Sequence, residues 1–82
     1  MEIRSSARKH GVSDADMRHA VEYAVHEGEI DDDAPWRVLY LGPDTAGNLL
    51  EVITVEDDDG DEVVIHAMKM RPKYFPLLAR GR

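Results

Sequence analysis

Residues 36–70, WRVLYLGPDTAGNLLEVITVEDDDGDEVVIHAMKM, decide the fold. From Trp36 to Leu41 aromatic and branched side chains alternate, with Trp36, Val38 and Tyr40 on one face and Arg37, Leu39 and Leu41 on the other. That period of two predicts a first strand. Gly42, Pro43, Asp44 and Gly47 supply turn chemistry, and a second strand resumes over Leu49 to Val55. The bend Asp57-Asp58-Asp59-Gly60 has glycine where a left-handed residue is wanted, so the chain returns as a third strand from Glu62 to about Met70. Three strands joined by short turns read as an antiparallel meander.

Two helices are expected before this meander and a short one after it. Ile3, Ala7 and His10 recur at helical spacing with Gly11 as a stop, which predicts a helix over residues 2–10. Ser13 and Asp16 form a capping pair, and Met17, Ala20, Val21, Ala24 and Val25 make an apolar stripe, which predicts a second helix to about Glu27. Gly28 ends it, and Glu29 to Pro35, with three consecutive aspartates, reads as a solvated loop. Pro72 suits the first turn of a short C-terminal helix, with Tyr74, Leu77 and Leu78 packing back and Pro76 limiting its length. The expected fold class is α+β, with two N-terminal helices packed on a three-stranded antiparallel sheet.

Eighty-two residues make one domain, residues 1–82, with a core small enough for a second copy of the chain to be an expected partner. The absence of cysteine excludes disulfides and thiolate chemistry and favours a cytoplasmic reading. Apolar runs are only a few residues long, against roughly 20 for a membrane span, and the N-terminus alternates charge where a signal segment would be apolar. No membrane association is expected.

The net charge of −7 is unevenly placed. Residues 28–62 carry twelve acids and one base, Arg37, whereas residues 63–82 carry five bases, Lys69, Arg71, Lys73, Arg80 and Arg82, and no acid. The negative total disfavours generic nucleic-acid binding, yet local potential decides where a phosphate settles. His66, Lys69, Arg71, Lys73 and Tyr74 lie within nine residues. They could supply a base for a 2′-hydroxyl, cations for a phosphate and a proton for a leaving oxygen. His66 shares a strand face with Val64 and Met68, which equally suits a packed histidine with one satisfied hydrogen bond. Arg80 and Arg82 also suit a frayed end.

A second basic group, Arg8-Lys9-His10, stands at the end of the first expected helix, where cations complement the helix dipole without any ligand. If that end lies beside the last strand, the two groups form one phosphate-sized pocket. His19 and His26, seven residues apart on one helix, would stand about 10 Å from each other, too far for a shared ion. The aspartate runs lack the alternation of a calcium loop and read as turns that could attract a basic partner. No metal site and no cofactor are expected. Trp36 and Tyr40 suit core packing first and a base-stacking platform second.

The run Ala7-Arg8-Lys9-His10-Gly11-Val12-Ser13 resembles the signature near the start of BrnT-type toxins, small toxins of bacterial toxin–antitoxin pairs with a RelE-like fold. The likeness continues through Arg37, Gly42, the Gly47-Asn48-Leu49-Leu50 step, the strand Val64-Ile65-His66-Ala67 and Tyr74. The resemblance implies a metal-independent ribonuclease that cleaves RNA and is silenced by a ribbon-helix-helix antitoxin protein, with Lys9 and Arg37 as functional candidates. With the basic corner added, the expected catalytic residues are Lys9, Arg37, His66, Lys69, Arg71 and Tyr74, and the expected RNA contacts are Arg8, His10 and Lys73. The chain departs from the family in its acidic total and in having His66-Ala67-Met68-Lys69 where Ser-Ala-Arg-Arg is usual. These departures fit an alternative: a non-catalytic relative that binds a basic protein or its own copy.

Overall fold

A computed structural model describes residues 1–30 and 36–79 of the chain. Among the described residues the sheet has five strands, not three. β1 (Glu2–Ile3), β2 (His26–Glu29), β3 (Arg37–Pro43), β4 (Leu49–Glu56) and β5 (Glu62–Lys69) lie in the order β1-β5-β4-β3-β2. β1 runs parallel to β5 and every other pair is antiparallel, so the sheet is mixed. The expected meander is its centre, extended by one strand on each side.

β1 replaces expected helix, and β2 replaces the end of the second expected helix and the start of the loop expected after it. Residues 2–10 form β1 and then a 3-10 helix, Ser5–Arg8, instead of one α-helix. The ladder explains the substitution: Ile3 pairs with Val64 and the Arg4 N–H donates to the Val64 carbonyl at 3.0 Å, bonds that an isolated turn of helix could not match. The second helix, α1, spans only Asp14–Glu22. Ser13 caps it, accepting from the Asp16 N–H at 3.1 Å, while the Asp16 carboxylate turns away to Thr45 in the β3–β4 turn. The apolar stripe continues past Glu22, but the chain leaves the helix at Tyr23, and the Val25 N–H donates to the Leu41 carbonyl. His26 to Glu29 then line the edge of β3. His19 and His26 therefore share no helix, and the expected loop from Glu29 to Pro35 lies outside the described residues from position 31 onward, as do Arg80 and Arg82.

Two turns with the same chemistry join the central strands. Asp44 accepts the N–H groups of Ala46 and Asn48 on one carboxylate oxygen, and Asp57 does the same for Asp59 and Asp61. The glycine fourth in each turn, Gly47 at φ 89° and Gly60 at φ 86°, takes the left-handed conformation that a side chain would resist.

Both faces of the sheet are covered. On one, α1 and the 3-10 helix bury Met17, Ala20 and Ala7 against Tyr40, Leu50, Val52, Val64 and Ala67. On the other, a second 3-10 helix, Pro72–Tyr74, runs into α2 (Phe75–Ala79) and covers Leu39, Leu41 and Met70 with Tyr74, Leu77 and Leu78. The C-terminal helix thus forms a third layer, and Pro76 sits within its first turn, where the missing N–H breaks no bond. Trp36, expected in the core, is 57% exposed. No helix among the described residues is long and apolar enough to cross a membrane.

At Gly42 the backbone of α1 comes close against the sheet. A Cβ there would stand 2.0 Å from the Ala20 carbonyl oxygen and 3.0 Å from the Ala24 Cα, both backbone atoms that cannot swing aside. Gly42→Ala should cost about 3 kcal/mol by forcing α1 off the sheet. Urea unfolding of the two proteins measures it, and an unchanged midpoint would contradict this packing.

Candidate functional site

The site is built around an acid that the sequence reading did not single out. Glu51 lies in the middle of β4, opposite Leu41 on β3, on the face that α2 covers, and its side chain is fully buried. A carboxylate removed from water needs every lone pair occupied. Glu51 has four donors. Oε1 accepts from the Arg71 backbone N–H at 3.0 Å and from Arg71 Nε at 2.9 Å. Oε2 accepts from Arg71 Nη2 at 2.6 Å and is 2.9 Å from His66 Nε2. The paired guanidinium bonds are the fork geometry that a carboxylate fits best.

A β-bulge brings His66 to this carboxylate. The β4–β5 register shifts between Ile53 and Thr54, so Ile53 faces His66 while Thr54 faces Val64. Ile65 is the extra residue, and its carbonyl accepts from the Ser6 hydroxyl at 3.0 Å. The bulge separates His66 from Val64: Val64 packs beneath α1, and His66 turns to the Glu51 side. The expectation that both share a face is corrected on this point. A smooth period of two had to fail there for the histidine to meet the acid.

The same bulge receives the N-terminal segment. With Ser6 held to Ile65 and Ala7 buried, the chain delivers His10 edge-on to His66, ring centroids 5.8 Å apart at 78°. The first basic group and the last strand therefore do meet, 56 residues apart in sequence, through their histidines. Beyond Arg71, Tyr74 is 9% exposed, with the Arg71 guanidinium carbon 5.9 Å and Lys73 Nζ 5.0 Å from its ring centroid. Both separations lie within cation–π range.

Of the expected catalytic residues, His66, Arg71 and Tyr74 are brought together, and His10 and Lys73 from the RNA-contact set join them. Lys69 is on the Ala67 side of β5, facing α1's layer, and does not enter the cluster. Arg37 pairs with Val55, four residues along β4 from Glu51 and so about 13 Å away along the sheet. Arg8 has its guanidinium fork engaged by Asp14, at 2.9 and 2.8 Å. Lys9 is exposed next to His10. His19 is held through Nδ1 by the Pro43 carbonyl at 2.8 Å and stacks at a tilt on Tyr23. Among the described residues, no group of three or more His, Cys, Asp or Glu side chains is arranged to hold a metal ion.

A signal for Glu51 was present in β4. Leu49, Ile53 and Val55 flank it on its own face as Leu50 and Val52 do on the other, so the strand is largely apolar on both sides. Such a strand is covered on both faces, and an acid inside it needs a cation partner.

No protein-family model, curated protein or solved structure matches the chain.

Burial pushes the Glu51 carboxyl up; the hydrogen bonds and charge of Arg71 and the bond to His66 together outweigh it, leaving the group below its usual 4.5. A depressed carboxyl stabilises the fold in full above its unfolded value, and that stability is lost as pH falls through the folded value. At neutral pH, Glu51→Gln should lower the unfolding free energy by about 2 kcal/mol. The gap should close as pH drops below about 4. Urea titrations across pH 3 to 7, run as a guide range on the ordinary carboxyl value, check this, and a gap independent of pH would contradict the assignment.

Proposed function

We propose that the chain is a metal-independent ribonuclease of the BrnT toxin kind, acting on RNA and neutralised by a protein antitoxin. One observation carries the reading: the two histidines contributed by the two basic segments stand ring to ring beside an arginine held in place by a buried acid. RNA cleavage by transesterification needs two proton transfers at one phosphate. One imidazole takes the 2′-hydroxyl proton as that oxygen bonds to phosphorus. A protonated imidazole gives a proton to the departing 5′-oxygen as its bond to phosphorus breaks, leaving a 2′,3′-cyclic phosphate and a 5′-hydroxyl. Neither transfer calls for a metal.

The Arg71 guanidinium bonds Glu51 through Nε and Nη2, so three of its five side-chain N–H donors are not used on the carboxylate. They suit the equatorial oxygens of a phosphate as charge builds there, with Lys73 and Lys9 as further cations. Lys69, Arg37 and Arg8 have no part in this version of the site.

A second reading, a protein-binding module, is favoured by β2. Among the described residues only β3 pairs with it, and it carries exposed Glu27 and Glu29 on one face of this open edge. A tight, salt-sensitive protein complex from a preparation that leaves RNA intact would support that reading over the first.

Purified protein incubated with end-labelled RNA in excess chelator should release fragments ending in 2′,3′-cyclic phosphate. His66→Ala and His10→Ala should each slow release by about 10²- to 10⁴-fold. Intact RNA, or equal cleavage by wild type and both variants, would overturn the proposal.

A further inference from the structure

We infer that Glu51 is a positioning residue that fixes the tautomer and orientation of His66, so that Nδ1 is the ring atom left to exchange a proton with substrate. This rests on the ribonuclease reading for what Nδ1 does, but the tautomer and its cause stand on geometry alone. An ionised carboxylate only accepts hydrogen bonds, so the short contact between Glu51 Oε2 and His66 Nε2 requires the proton to be on Nε2. In the neutral ring the lone pair is then on Nδ1.

The carboxylate itself has no freedom to follow a moving histidine. Three of its four bonds come from Arg71, two from the guanidinium and one from the backbone N–H, and the side chain is sealed beneath the C-terminal layer. His66, whose side chain is 23% exposed, is therefore held through Nε2 on a fixed anchor. This divides the work of the site: Arg71 orients the acid, the acid orients the histidine, and Nδ1 takes the 2′-hydroxyl proton while the imidazolium of His10 serves the leaving oxygen. The proton gained by Nδ1 gives an imidazolium whose Nε2–H still faces Glu51, so the charge that forms is met by a fixed opposite charge.

Nitrogen-15 and proton spectra of the imidazole rings in the full chain test this without reference to activity. Wild type, at a pH where the His66 ring is neutral, should show a ring proton in slow exchange, correlated to Nε2, with Nδ1 in the unprotonated shift range. In Glu51→Gln that proton should exchange at least about tenfold faster, since a neutral partner makes a weaker bond. A neutral His66 ring with its proton on Nδ1, or one averaging between tautomers in wild type, would overturn the inference whether or not the protein cuts RNA. The wild-type spectrum decides the point even where the variant fails to fold. If the anchored Nε2–H is found and RNA stays intact, the positioning role holds and the ribonuclease reading alone fails.

Discussion

A single buried carboxylate holds the C-terminal half of this molecule in register. Glu51 sits where β4 is covered on both faces, and its four hydrogen bonds reach two other parts of the chain: the bulged segment of β5 and the corner after it. Burying a charge is unfavourable until its partners are in place, so those segments have one arrangement that satisfies it and few near misses. The path of the chain past Met70, the seat of Tyr74 and the direction of His66 follow from that requirement.

The other face answers to packing instead of charge. Gly42 lets α1 approach until backbone nearly meets backbone, and Met17 and Ala20 then fill the space over β3 and β4. A smaller polar network supports that side: Glu62 accepts from the Tyr40 and Thr54 hydroxyls, linking β3, β4 and β5. Burial first, and then the bond to Glu62, push the Tyr40 phenol upward, so it stays a donor throughout the physiological range. The bulge at Ile65 joins the two halves. It lets Val64 serve the α1 core while its near neighbour His66 serves the acid on the opposite face, and it gives Ser6 a carbonyl on which to fasten the N-terminal segment.

The central strands were legible because their alternation is regular and their turns carry glycine at the left-handed position. β2 was not, since His26-Glu27-Gly28-Glu29 contains no branched or aromatic residue and is a strand only because β3 offers it an edge. β1 is two residues long and owes its form to β5. The end of α1 was overrun because the apolar stripe continues as the chain crosses from helix to sheet edge. At the site, local clustering found His66, Arg71 and Tyr74, and the second basic group found His10. It also admitted Lys69, because nearness in sequence says nothing about which face of a strand a residue takes, while Arg37, named only through the family resemblance, lies farther along the sheet. Glu51 escaped notice because its partners lie 15 and 20 residues away.

What unites the fold and the candidate site is that the solvent-facing groups of the cluster are held by ones that solvent does not reach. His66 and the outer edge of Arg71 are presented by a carboxylate that solvent does not reach, and His10 is presented by a turn fastened to the bulge. The most direct test is the exchange rate of the Arg71 backbone amide, whose proton is donated straight to Glu51. In wild type that amide should be protected like the strand amides of the core. In Glu51→Leu, which keeps the packing and removes the acceptor, its protection should fall by more than about tenfold while the β3 and β4 amides hold theirs. Equal protection of Arg71 in both proteins would mean that the corner is held by something other than the buried acid.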